Sequence, residues 1–301
     1  MKKIAIIVML LAAVFTGASA QLLYKVTGKD LTKPSYIVGT LHLAPANFAD
    51  SIAGMRDAMA QTEQVCGELD IQQMMSPEGV QKMMQAMMLP EGKTLKDILS
   101  TEEMTSLNAF MVKLLGADMN NPMVAQQMER MSPQALNTQF TIVMYLKLTP
   151  GFDPANLIDG YFQREAMKNG KPVNGLETLD FQIKTLYKGM AIDRQKQLLM
   201  CLINNESYYE SMAIKLTKAY FSQDIVAVKA VMDEKQGTAC DSTPEEDAAL
   251  IYKRNADWLT KMPSIMAEKS TLFAVGAGHL PGDKGIINLL RGAGYTVEAV
   301  K

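Results

Sequence analysis

Tyr36-Ile37-Val38-Gly39-Thr40-Leu41-His42-Leu43 near the start of the chain and Phe273-Ala274-Val275-Gly276-Ala277-Gly278-His279-Leu280 near its end share one construction. In each, a short apolar run of β-formers reaches a glycine, a histidine follows three residues later, and a proline, Pro45 or Pro281, stands just beyond. The chain has two histidines in all, and both lie in these phrases. Their matched contexts point to one shared site. Such a run reads as a buried strand ending at the glycine, where the backbone turns sharply and can approach a ligand closely. Gly39, Gly276 and Gly278 are therefore backbone turn positions. Ligands of open α/β sheets bind outside the carboxyl ends of strands, which puts both histidines at the rim of a crevice.

Working outward, strand patterns occupy the two ends of the chain and helical patterns the middle. Gln21 to Val26, Ser35 to Val38 and Gln64 to Leu69 read as strands around a helix at Asp50 to Gln61, the order of a βαβ unit. From Gln72 to Leu148 the pattern is helical. Ser100 with Glu103 forms a capping box, Gly116 stops the run behind it, and Ser132-Pro133 starts another helix. Val173 to Leu176 returns to strand character; helices follow near 178 to 188, 193 to 220 and 222 to 233, and Thr243-Pro244-Glu245-Glu246 opens a long one. The chain closes with strand Thr271 to Val275, a helix after Gly282 and strand Tyr295 to Val300. The expected fold is α/β, a mostly parallel central sheet built from N- and C-terminal strands, with a large Met-rich helical cap inserted at about 72 to 170.

Residues 1 to 20 carry Lys2 and Lys3, an apolar run from Ile4 to Phe15, and Ala18-Ser19-Ala20, the pattern of a cleaved secretory signal. Cleavage near Ala20 would leave a periplasmic or secreted chain of one domain, 21 to 301. No cysteine stands directly after that point to carry a lipid, and no later apolar run is long enough to cross a bilayer. A formal charge of −2 offers no basic field for nucleic acid. In an oxidising compartment three cysteines leave one over. Cys66 lies in a strand-like stretch, so the expected disulfide joins Cys201 and Cys240, closing about 40 residues.

Twelve of the 24 methionines fall between Met74 and Met131. Methionine fills irregular gaps, so this density means helix packing or a pliable apolar wall facing a substrate. Soft thioethers one turn apart can also hold Cu(I).

Gly39-Thr40-Leu41-His42, Glu68-Leu69-Asp70, Gly175-Leu176-Glu177-Thr178 with Gln182 after it, Arg254-Asn255, and Val275 to Gly282 together resemble the TraB/PrgY/GumN family over almost the whole mature chain. Ile158-Asp159-Gly160-Tyr161 also fits its pattern. The resemblance implies kinship with the membrane-anchored Tiki metalloproteases of animals and, more distantly, with erythromycin esterases and a haem-binding lipoprotein. The Met-rich insertion matches no family motif.

The same residues make a coherent hydrolytic centre. Imidazole and carboxylate are usual ligands of catalytic Zn²⁺, Mn²⁺ or Co²⁺. His42, Glu68 and His279 are the candidate metal ligands, each from a different strand end. Glu177 is placed to move a proton, Arg254 to stabilise an oxyanion or hold a substrate carboxylate, and Asn255 to orient a neighbour. Asp70, Asp159 and Gln182 are supporting partners; Asp70 also reads as a reserve ligand, and Glu177 and Asp159 equally as helix caps. Three functions remain open: a metal-dependent peptidase or amidase, a metal-independent histidine hydrolase, and a non-enzymatic haem- or metal-binding protein. The substrate expected is a peptide or small molecule. No G-x-S-x-G elbow, P-loop or dinucleotide fingerprint is present. Gly282-Asp283-Lys284-Gly285 marks a helix start that can hold an anion near His279.

Overall fold

The computed structural model describes residues 21–149, 153 and 155–301. The secretory signal expected at 1 to 20 lies outside them. Six strands, β1 (Leu23–Thr27), β2 (Ser35–Thr40), β3 (Gln64–Gly67), β4 (Val173–Gly175), β5 (Thr271–Gly276) and β6 (Thr296–Ala299), form one sheet in the order β4-β3-β5-β2-β1-β6. The expectation of a mostly parallel sheet is corrected, for the sheet is mixed. β4 with β3, β3 with β5 and β5 with β2 are parallel pairs, whereas β1 runs antiparallel to both β2 and β6. The cause is the link from Gly28 to Pro34, which is too short for a crossover and leaves a hairpin as the only geometry.

Parallel registry on the other side of β2 decides where function can lie. Thr40 pairs with Gly276, and Gly67 pairs with both Ala274 and Gly175. The carboxyl ends of β2, β3, β4 and β5 therefore share one edge, and the segments leaving them carry His42, Glu68, Glu177 and His279 across that edge. Close approach at this edge demands glycine. A Cβ on Gly39 would sit 3.0 Å from the Ala277 Cα, so the turn after β5 packs directly on the end of β2. The Tyr220 hydroxyl donates to the Gly39 carbonyl at 3.2 Å and ties the helix Glu206–Phe221 to the same point.

Among the described residues two large apolar cores hold the fold, beside a small third cluster of Leu69, Ala86, Leu179 and Ile183. The larger packs Ile37, Phe273 and Leu272 of the sheet against Phe162, Tyr220, Trp258 and Leu290 from the surrounding helices. The second lies wholly among helices, where Leu107, Met111, Leu136 and Phe140 meet Leu199 and Leu202. Helix ends follow the capping chemistry: Ser100 and Glu103 bond reciprocally, Gly116 ends the same helix at φ +79°, Ser132 caps Pro133–Leu148, and Thr243 with Glu246 opens the run at Pro244. That run carries a π turn at Ala248–Tyr252 before continuing as Lys253–Glu268. A π turn in a helix often marks a functional position.

Cys201 and Cys240 form a disulfide, and Cys66 is a buried free thiol. Of the methionine-rich segment, Met87, Met88, Met104, Met111, Met119, Met128 and Met131 pack in or against the second core. Met74 and Met75 instead face a cleft beside the sheet edge.

Candidate active site

The helix Lys253–Glu268 brings Arg254, Asn255 and Trp258 under the carboxyl edge of the sheet, Trp258 standing about one turn beyond each of the other two. Arg254 is the hub. Its Nε donates to Glu177 Oε1 at 2.7 Å, and its Nη2 donates to Glu177 Oε2 at 2.9 Å and to Glu68 Oε2 at 2.5 Å. Its Nη1 donates to the Leu250 carbonyl at 3.1 Å and to His279 Nε2 at 3.2 Å. A guanidinium has five N–H groups, and all five are engaged. Arg254 therefore has no donor left for an oxyanion or a substrate carboxylate while this lattice is intact.

Glu177 follows β4 and is completely buried at its side chain. Besides Arg254 it accepts from Trp258 Nε1 at 2.8 Å. It does not cap the next helix; Thr178 does, through Phe181 N. Glu68 follows β3, and its Oε1 accepts from Gly276 N at 2.8 Å. Burial works to raise its carboxyl, but the His42 and Arg254 charges and the Gly276 N–H outweigh that and hold it down at about 2.

His279 sits in the 3-10 turn Ala277–His279 and is buried. Asn255 Nδ2 donates to the carbonyls of His279 (3.1 Å) and Lys284 (2.8 Å), which leaves Asn255 Oδ1 to face His279 Nδ1 at 2.7 Å. Nδ1 therefore carries the proton, and Nε2 is the acceptor of the Arg254 bond. Burial pushes the His279 pKa down to about 4, in keeping with a neutral ring. Trp258 covers that ring at 4.4 Å between centroids.

His42 is placed differently. It leaves β2 and turns a 71% exposed side chain into the open. Its Nδ1 lies 3.0 Å from Asp159 Oδ2, and the other Asp159 oxygen accepts from the Thr40 hydroxyl. The Asp159 charge and hydrogen bond raise the His42 pKa to about 9. Asp159 stands in the first turn of the helix Ile158–Lys168 and serves the histidine, while Leu157 occupies the N-cap position. His42, whose Nε2 has no hydrogen-bond partner among the described residues, lines a cleft of about 780 Å³ together with Glu68, Arg254, Met74, Met75, Gln182 and Arg164 among others. A smaller cavity of about 250 Å³ meets the same three residues, His42, Glu68 and Arg254, from the His279 side.

Of the residues expected from sequence, His42, Glu68, Glu177, Arg254, Asn255, His279 and Asp159 converge, and Gln182 lines the cleft. Asp70 does not join them, because its carboxylate accepts from Gln72 N at 2.8 Å and caps the helix Ile71–Met75. Thr40 and Trp258 were not anticipated. Trp258 had a signal in the sequence, one turn beyond Arg254; Thr40 had only its place inside the first G-x-x-H phrase.

Comparison with known proteins gives a family and distant relatives. The model of the TraB/PrgY/gumN family matches residues 22–299. Metalloprotease TIKI2 of Xenopus tropicalis is 25% identical over 308 residues, 88% of this chain and 57% of its own. Metalloprotease TIKI1 of Homo sapiens is 26% identical over 306 residues, 88% and 59% respectively. Metalloprotease TIKI2 of Danio rerio is 22% identical over 309 residues, 88% and 58%. The chain thus spans under two thirds of the length of these relatives. No solved structure matches it.

A metal, as the relatives' names imply, needs free lone pairs from several ligands. His42 has the arrangement usual for a metal-binding histidine, one ring nitrogen held by a carboxylate and the other open. Glu68 keeps unused lone pairs on an ionised carboxylate. His279 does not fit, since its acceptor nitrogen is bonded to a guanidinium and its other nitrogen to Asn255. The expected three-ligand set is therefore not assembled, and among the described residues no group of three such side chains is disposed to hold an ion.

Proposed function

Because the chain belongs to the TraB/PrgY/gumN family, we propose that it is an exported hydrolase of peptide or related amide bonds, with His42 as the group that moves protons. The observation that carries this reading is the Thr40–Asp159–His42 chain, which holds Nδ1 and leaves the other imidazole nitrogen without a partner among the described residues, on a side chain that lines a cleft of ligand size. Asp159 fixes the tautomer and stabilises the imidazolium formed during reaction. Neutral His42 takes a proton from water through Nε2 as the water oxygen bonds to the carbonyl carbon. It then returns that proton to the nitrogen as the C–N bond breaks, leaving a carboxylic acid and an amine. The Arg254 lattice holds Glu68 beside this point and keeps the back wall rigid.

A second reading, metal dependence, is favoured by the open Nε2 of His42 next to Glu68 and by the relatives' names. A haem-binding role has less support, because His279 offers no free ring nitrogen to an iron.

Turnover of a peptide and acyl-amide panel by the mature chain, with and without chelator, tests both. The expected result is activity that climbs as pH rises toward 9, as the neutral form of His42 grows, and that falls about 100-fold or more in His42→Ala. Loss to chelator with recovery in Mn²⁺, Co²⁺ or Zn²⁺ would select the metal reading. Equal turnover by parent and His42→Ala would remove the proposal.

A further inference from the structure

Two guanidiniums line the large cleft. Arg254 is fully engaged. Arg164, on the helix Ile158–Lys168, is half-buried and makes no hydrogen bond or ion pair among the described residues. It lies five residues, roughly 7.5 Å of helix axis, beyond Asp159. The side chain folds back over Gly160, where a Cβ would meet Arg164 Nη1 at 2.4 Å. Glycine at 160 thus lets the guanidinium lie toward the Asp159 end of the helix, the end that His42 contacts through Asp159. Among the described residues no carboxylate pairs directly with this cation, so a ligand can supply its partner in a cleft whose walls are largely apolar.

The walls around it are apolar: Leu69, Ile71, Met74, Met75, Met167 and Leu186. Methionine and aliphatic side chains accept varied apolar shapes without selecting one. Gln182, whose amide has no partner among the described residues, adds a neutral donor on the same lining. The volume, about 780 Å³, is that of a small-molecule site. Asp159 and Glu68 line it too, so a single negative charge is better matched there than a dianionic phosphate.

We infer that Arg164 binds the terminal carboxylate of the substrate, which makes the site selective for short apolar peptides or N-acyl amino acids with a free C-terminus. This rests on the hydrolase reading above and names the substrate class for that same cleft. The reaction is then exopeptidase-like. Water adds to the amide carbonyl next to His42, the C–N bond breaks, and the terminal residue leaves as an amine that keeps its carboxylate on Arg164.

The test compares N-acetyl-leucyl-methionyl-leucine with its C-terminal carboxamide, which differ by one charge. The full mature chain is expected to favour the acid in kcat/KM by about 10- to 100-fold, the range for a charge-assisted pair. Arg164→Gln should bring the two substrates within about twofold, and Gly160→Ala should raise KM for the acid by displacing the guanidinium. Circular dichroism checks that both variants fold. Calorimetric binding of the same two compounds to His42→Ala separates the two ideas. If neither compound is turned over but the acid binds preferentially and Arg164→Gln removes that preference, the hydrolase reading fails and this assignment stands. If both are hydrolysed at equal rates, or Arg164→Gln keeps the preference, the assignment is overturned while the hydrolase reading survives. If neither compound binds at all, the assignment is also overturned.

Discussion

Arg254 Nη1 meets His279 Nε2 at 3.2 Å, and that bond divides the two histidines of the chain into different kinds. His279 is a buried, neutral acceptor locked between a guanidinium and Asn255, whereas His42 presents an open nitrogen to a cleft. The sequence presents them as equals, and their chemistry is not equal.

The lattice around Arg254 makes a stability prediction. Replacing it by lysine keeps the charge but removes the planar fork that bonds Glu177 at two oxygens, and leaves a completely buried carboxylate short of donors. Arg254→Lys should cost about 1 to 3 kcal/mol, the range for a buried acceptor that loses its hydrogen-bond donors. Trp258 is the chain's one tryptophan and touches both Glu177 and His279, so urea unfolding followed by its fluorescence reads the site directly. A variant within 1 kcal/mol of the parent would show that the lattice is not structural.

Acid should weaken the protein through His279. Its folded pKa, about 4, lies below the unfolded value near 6.5, so the unfolded chain binds an extra proton between the two. Stability is then intact above pH 6.5 and declines as pH falls toward 4, by on the order of 3 kcal/mol. Glu68, depressed to about 2, extends the loss below pH 4.5. His42 has the opposite sign, its contribution fading as pH rises through 9, and its exposure makes that effect small. Melting temperatures from pH 7 to 4 should slope in the parent and flatten in His279→Gln. A parallel slope in both would sink the idea.

Thiol chemistry should distinguish the cysteines. The Cys201–Cys240 bridge is 39 residues apart in sequence and by loop-closure entropy contributes about 4 kcal/mol, so Cys201→Ser with Cys240→Ser should lower the unfolding midpoint clearly. Cys66 is pushed up to about 12 by burial and should resist alkylation at pH 8 until the chain unfolds. Rapid labelling of native Cys66 would contradict its place in the core.

Strands and helix caps were legible because each depends on groups a few residues apart. Ser100 with Glu103, Thr243 with Glu246, and the β-formers before Gly39 and Gly276 carry their signals locally. The reversed β1 was harder, since a short strand beside a hairpin link says nothing of the strand on its other side. Asp70 shows the same limit. Its spacing from Glu68 suggested a shared face, but a free backbone N–H two residues on was the nearer partner.

What the sequence determined by itself was the family pattern, the α/β character and the set of polar residues able to do chemistry. Only the tertiary structure decided their roles. Arg254 reaches Glu177 across 77 positions, Asp159 reaches Thr40 across 119, and Gly276 reaches Glu68 across 208. No local periodicity encodes such pairs. They exist because parallel strands end at one edge and packing brings the helices carrying Arg254 and Asp159 against it, and that geometry selects which nitrogen is bonded and which is left open.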